Sequence, residues 1–147
     1  MPSFDDDLVL FRRAPLTLRR APVRQFAGKL RESVARRRNF ECLITDDREL
    51  RRLNRQFRGL DYATDVLSFP AAGSELLGEI AISADRAARQ AREFGHSRLD
   101  EIRILMLHGV LHLLGMDHEN DGGAMARAEA RWRKKLNLPS GLIARTS

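Results

Sequence analysis

The chain is poor in the residue types that build secreted, disulfide-stabilised or membrane-spanning proteins. Its 147 residues include a single cysteine, Cys42, so no internal disulfide can form and a reducing, cytoplasmic setting is expected. No long apolar segment follows the first residues, which predicts that the chain carries no secretory signal peptide. The longest hydrophobic run, residues 102–114, contains two histidines and is too short to cross a bilayer. We therefore expect no membrane partner.

Negative charge is scarce in the first part of the chain. Residues 1–60 hold 15 of the 26 Lys and Arg but only 8 of the 20 Asp and Glu. Most of these basic residues are arginine, whose planar guanidinium binds phosphate through two hydrogen bonds. The excess indicates an acidic polymer as partner, with nucleic acid the first candidate. A general compositional bias toward arginine would explain the same excess.

The length predicts one domain over residues 1–147, with a sizeable apolar core. Helical and strand periodicities alternate along the chain, which predicts an α/β (α+β) fold with one mixed sheet of about four strands packed with about five helices. The predicted strands are residues 8–12, 40–45, 65–69 and 77–83, the last two forming a hairpin. The predicted helices are residues 22–38, one that opens at Asp46 with Glu49 as its capping partner, residues 84–94, one that begins at Ser97, and residues 122–136.

Three of the four histidines fall within eleven residues. His108 and His112 are four apart, so on a helix they project from one face, and Gly115 is a natural helix stop after which a turn can bring back His118. Three imidazoles without a fourth protein ligand are typical of a catalytic metal site. The sequence therefore predicts a metal site at the end of a buried helix. The fourth histidine, His96, is interpreted as solvent-facing.

The histidine spacing matches a known zinc-binding motif that lacks one residue here, a glutamate. The spacing matches the zinc-protease motif H-E-x-x-H-x-x-G-x-x-H, but Gly109 stands where the general-base glutamate should be. The motif thus provides metal ligands without the peptidase base, which argues against a divergent zinc peptidase. A glycine inside a helix is unfavourable, so Gly109 indicates that substrate or a neighbouring backbone approaches closely there.

A polar segment at residues 53–70 spans a helix end and a strand start. Arg58 precedes Gly59, so its charge could simply compensate the helix dipole. The functional alternative is a phosphate clamp beside the metal, because a guanidinium and a cation can share the negative charge of a phosphodiester transition state. Taken alone, Thr64 and Asp65 indicate no more than a turn cap.

With both segments in view, the chain resembles the YbeY family, bacterial metal-dependent endoribonucleases of ribosomal RNA maturation. Residues 108–118 match the family signature H-G-x-L-H-L-x-G-x-D-H in full. Residues 53–70 match L-N-x-x-F/Y-R-x-x-D-x-x-T-D-V-L-S-F-P, and residues 78–82 match G-D/E-I-x-I. Residues 1–45 match only in general pattern, so no functional residue is carried over to them.

The resemblance implies a specific site and substrate. His108, His112 and His118 would bind one divalent ion, with zinc expected, although three histidines also accept nickel, copper or cobalt. Arg58 would be the important basic residue of the active-site cleft. The implied partners are single-stranded RNA, ribosomal RNA and the small ribosomal subunit, and the implied role is 3′-end processing of small-subunit ribosomal RNA and ribosome quality control.

The metal ligands and the arginines lead to the hypothesis that the protein hydrolyses an RNA phosphodiester. The role of Asp117 and the catalytic role of the metal remain open. Arg58 would hold the phosphate as a catalytic residue, and Arg51 and Arg55 would bind the RNA backbone. Asp117 is a candidate general base, but it could equally orient a histidine. The main alternative is a non-catalytic, ribosome-associated RNA-binding factor in which the metal is structural.

Overall fold

The computed structural model describes residues 8–73, 75–116 and 122–139. Within these ranges the chain forms four strands and five helices, as the sequence predicts. The strands are β1 (Val9–Phe11), β2 (Asn39–Thr45), β3 (Val66–Pro70) and β4 (Leu76–Ser83). The helices are α1 (Arg20–Glu32), α2 (Asp47–Arg58), α3 (Ala84–Phe94), α4 (Arg98–Leu113) and α5 (Ala124–Lys135).

The strands form one mixed sheet in the order β1-β2-β4-β3. Strand β2 runs parallel to both β1 and β4, whereas β3 pairs antiparallel with β4. The predicted hairpin is confirmed, and its register places Val66 opposite Ile82 and Pro70 opposite Gly78. Because β3 pairs with β4 alone, it forms one edge of the sheet.

The two faces of the sheet are covered unequally. Ile80 and Ile82 of β4 point into the main core, which also contains apolar side chains of α1, α3, α4 and α5. Alternation along a strand turns Ala81 to the other face, where it packs in a small cluster with Leu50 of α2 and Leu67 of β3. The histidine-bearing helix α4 and the arginine-rich helix α2 therefore lie on opposite faces of the sheet.

Side-chain caps define the starts of three helices. The carboxylate of Asp46 accepts a hydrogen bond from the Glu49 backbone N–H, which confirms the predicted start of α2. The hydroxyl of Ser97 accepts from the N–H of Asp100 and opens α4, and Ser83 accepts from Arg86 at the start of α3. These caps fix where α2, α3 and α4 begin.

The prediction for the first helix is wrong at its carboxyl end. Helix α1 stops at Glu32 rather than continuing to residue 38, and Arg36 and Arg37 adopt left-handed backbone angles with φ of 52° and 68°. The apolar stripe predicted a longer helix because it continues to Val34. Val34 and Ala35 are buried, but a turn that folds back onto the core buries them rather than a helix. Residues 36–38 therefore lie beyond the end of the helix.

The interpretation of His96 as solvent-facing is also wrong. Its side chain is 9% exposed, and its Nε2 lies 2.6 Å from the carboxylate of Glu101, which is fully buried. Gln90 donates to the other carboxylate oxygen of Glu101 at 3.0 Å and also to Asp65 at 3.3 Å. His96 belongs to a buried polar group at the start of α4, because a buried carboxylate requires hydrogen-bond donors.

The single cysteine is buried in the core. Cys42 lies in β2, is almost completely buried, and forms no disulfide. Burial raises the pKa of its thiol well above its ordinary value, so the reactive thiolate is disfavoured.

Replacing Gly78 by alanine should destabilise the fold strongly. Its φ is +155°, and an added Cβ would lie 2.5 Å from the backbone oxygen of Phe69 and 2.6 Å from the Leu113 side chain. We expect the free energy of unfolding to fall by roughly 3 kcal/mol in urea titrations. Gly73→Ala is the matched control, because nothing lies within 4 Å of its added Cβ. A loss below about 1 kcal/mol for Gly78→Ala would contradict the described packing.

Replacing His96 by alanine should cost about 2–4 kcal/mol of unfolding free energy, because the buried Glu101 loses a hydrogen-bond partner. Chemical denaturation measures this loss. Glu93→Ala, an exposed substitution near the end of α3, serves as control and should change stability by no more than about 0.5 kcal/mol. An equally small effect of His96→Ala would favour the solvent-facing interpretation.

Candidate metal centre

Helix α4 carries two of the predicted metal ligands on one face. Its interior is apolar and buried, and His108 and His112 interrupt it one turn apart. Both are partly exposed where α4 approaches its end. The backbone turns away after Leu114, and Gly115 adopts a left-handed φ of +93°, as expected for a helix stop.

The two imidazoles converge on one point. Their Nε2 atoms are 3.1 Å apart, and the ring centroids are 4.7 Å apart at an interplanar angle of 71°. Two nitrogens bound to one tetrahedral zinc ion, each about 2.0–2.1 Å from it, would be separated by about 3.3 Å. The separation of the pair is therefore close to the one that a shared divalent cation requires.

Two of the predicted site residues, His118 and Asp117, lie outside the described residues. Within residues 8–73, 75–116 and 122–139, no group of three or more His, Cys, Asp or Glu side chains is arranged to hold a metal ion. The described portion of the centre is thus the His108–His112 pair.

A carboxylate that sequence reasoning missed contacts this pair. Oε1 of Glu129, in α5, lies 3.1 Å from Nδ1 of His108, the ring nitrogen that faces away from His112. The sequence predicts a helix over residues 122–136 but assigns no functional residue to it. Glu129 follows Met125 by four residues and so shares the inward face, which is the one signal that could have identified it.

Gly109 makes room for a side chain rather than for substrate or backbone. A Cβ at this position would lie 2.9, 3.0 and 3.2 Å from three side-chain carbons of Ile80 in β4. The Ser68 hydroxyl of β3 donates to the Gly109 carbonyl at 3.3 Å. These two contacts seat the histidine-bearing turn of α4 directly on strands β3 and β4.

Arg58 does not contact the histidines. It is the last residue of α2, exposed, and without a hydrogen-bond or ion-pair partner in the described part of the chain. Its neighbour Phe57 packs against Phe69 of β3 with ring centroids 5.3 Å apart. Since Ser68, next along β3, points to the opposite face and contacts Gly109, the end of α2 and the histidine-bearing turn of α4 lie on opposite sides of the same stretch of the edge strand.

The loop after α2 is fixed to the helix by two side chains. Arg51 makes a bidentate ion pair with Asp61, with N···O distances of 2.9 and 3.1 Å, and Asn54 donates to the Tyr62 carbonyl at 2.9 Å. Hydrogen bonds from Arg51 lower the pKa of Asp61, and the Arg51 and Arg55 charges add to the effect. Arg51 is thereby occupied within the chain, whereas Arg55 is exposed.

Other arginines of the basic half also have internal partners. Arg24 donates to the Val9 carbonyl at 3.0 Å and lies over the ring of Phe11. Arg52 pairs with Glu49. The basic excess of residues 1–60 is therefore partly structural, whereas Arg58 at the end of α2 has no hydrogen-bond or ion-pair partner among the residues that the structure describes.

The chain is similar to known proteins over most of its length. Residues 20–137 match the family model described as endoribonuclease YbeY. A protein named endoribonuclease YbeY from Solibacter usitatus (strain Ellin6076) is 61% identical over 99% of this chain and 98% of its own length. Its namesake in Koribacter versatilis (strain Ellin345) is 52% identical, covering 83% of this chain and 80% of the relative.

A solved structure shares the fold. The solution structure of a Thermotoga maritima protein superposes with a TM-score of 0.61 at 26% sequence identity, covering 95% of this chain and 99% of that one. The family match extends over most of the sequence and includes both the histidine helix and the arginine-rich segment. The chain belongs to the endoribonuclease YbeY family.

Proposed function

We propose that the protein is a metal-dependent endoribonuclease that hydrolyses single-stranded RNA and acts in 3′-end maturation of small-subunit ribosomal RNA and in ribosome quality control. The observation that carries this proposal is the 3.1 Å convergence of the His108 and His112 Nε2 atoms, in a chain of the endoribonuclease YbeY family. Ribosomal RNA and the small ribosomal subunit are the proposed partners.

The proposed cofactor is one zinc ion held by His108, His112 and His118. Neutral imidazoles are suitable ligands for zinc, and the separation of the described pair fits tetrahedral coordination. A divalent ion at this position supplies Lewis acidity and, by lowering the pKa of water, a nucleophile at neutral pH. Asp117, adjacent to the proposed third ligand, would accept a proton or orient that ligand.

The proposed substrate path follows from where the arginines lie. Arg58 and the histidine pair flank the edge strand β3, so an RNA strand that reaches both would cross that edge. Arg58 would neutralise the scissile phosphate, and Arg55 would bind the neighbouring backbone. Arg51 would contribute to the same positive field while it holds Asp61. An unpaired RNA strand can bend around the sheet edge to reach both sides, whereas an RNA duplex is too stiff and wide.

We extend the proposal to the whole chain and its location. Residues 1–147 are proposed to be one catalytic domain, because a single core cluster joins residues of β1, α1, α3, α4 and α5. A cytoplasmic location is proposed from the ribosomal RNA substrate and the free, buried Cys42. In the described residues, no helix has both the length and the apolar character that crossing a membrane requires.

The decisive test is cleavage of a single-stranded precursor of the small-subunit ribosomal RNA 3′ end by protein of measured metal content. His112→Ala should lose both metal and activity, with the rate falling more than about 100-fold. Arg58→Ala should keep its metal but lose about 100- to 1,000-fold in rate, because it removes a charged group that stabilises the transition state. Arg92→Ala, which removes an exposed arginine of α3, should cleave like the parent.

Two results would overturn the proposal. Equal cleavage by all four proteins would assign the activity to a contaminant. Binding of the RNA by all four without cleavage by any would favour a ribosome-associated binding factor with a structural metal. The chemistry of the new RNA ends distinguishes attack by water from attack by the neighbouring 2′-hydroxyl.

A further inference from the structure

The contact between α5 and the histidine pair defines the protonation of His108. An ionised carboxylate only accepts hydrogen bonds, so the Nδ1 atom 3.1 Å from Glu129 carries the proton. The Nε2 atom of a neutral His108 then presents a lone pair. That Nε2 atom lies 3.1 Å from Nε2 of His112.

The carboxylate is itself held by a buried arginine. The Arg133 guanidinium lies 3.9 Å from Oε2 of Glu129, the oxygen that does not contact His108. The Arg133 side chain is 8% exposed and that of Glu129 is 15% exposed, so both are largely shielded from water. Guanidinium, carboxylate and imidazole thus connect α5 to α4, and the first two belong to residues four positions apart on one face of α5.

We propose that Glu129 is a positioning residue of the metal centre. It accepts the hydrogen bond from His108 Nδ1, selects the tautomer whose Nε2 carries no proton, and orients that lone pair toward the side that faces His112. Arg133 fixes the carboxylate in place. The inference rests on the proposed function, because it assumes that the histidine pair binds a divalent cation. Carboxylates that orient a ligating histidine contribute about 10- to 100-fold to metal affinity.

Two measurements test the proposal on the full-length protein. In the metal-free protein, imidazole ¹⁵N shifts should report His108 as the Nδ1–H tautomer, and Glu129→Ala should abolish this preference. Chelator competition with Co²⁺ should show affinity reduced about 10- to 100-fold in Glu129→Ala and by less in Glu129→Gln, whose amide oxygen can still accept. The Co²⁺ absorption spectrum should change with the affinity.

Matched variants separate this proposal from a failure of the proposed function. Arg131→Ala removes an exposed side chain of α5 and should leave Co²⁺ affinity and tautomer unchanged. His112→Ala should weaken the affinity far more than Glu129→Ala. If His112→Ala weakens binding but both Glu129 variants bind like the parent, the positioning role alone is overturned. If parent and His112→Ala bind Co²⁺ equally, the metal centre and this inference both fail. Should Glu129→Ala not fold, the intermediate affinity of Glu129→Gln remains the test.

Discussion

The close packing of α4 on β4 is the contact on which the site depends. Two missing side chains make it possible, one on each element. The absent Cβ of Gly109 accommodates Ile80, and the absent Cβ of Gly78 accommodates Leu113. These contacts lie on either side of His112 along the helix, so the ligand-bearing turn rests directly on the sheet. Interiors packed at crystal-like density transmit even methyl-sized changes, and the distance between the two imidazoles is therefore coupled to the core.

Some arginines bind groups within the protein, and others are available to bind a polyanion. Arg24, Arg51 and Arg52 bind groups of the same chain, while Arg58 is exposed and has no partner within the described ranges. Exposed ion pairs such as Arg51–Asp61 add little stability, but this one fixes the loop that follows Arg58. The net charge of +6 supplies a long-range field, which concentrates negative substrates near the surface and weakens as salt increases.

The sequence predicted the order and type of all elements, because turn residues, caps and apolar periodicity agree with one another. It failed where tertiary contacts override local pattern. Helix α1 ends early because Val34 is buried in a turn, and a stripe does not reveal whether the backbone beneath it is helical. His96 pairs with a glutamate of the next helix, a contact that composition cannot predict. Glu129 is 21 residues from His108, and only the docking of α5 on α4 brings them together.

The position of the histidines on the most deeply buried helix has a consequence for dynamics. Helix α4 packs against α1, α3, α5 and the sheet, and most of its residues from 101 to 113 are buried. Local opening is rare in such a segment, so the backbone amides around Leu107 and Val110 should exchange hydrogen only when the whole domain unfolds. The histidine pair would then keep its spacing through every fluctuation short of global unfolding. Movements that adapt the site to differently shaped substrates would occur in the surrounding elements.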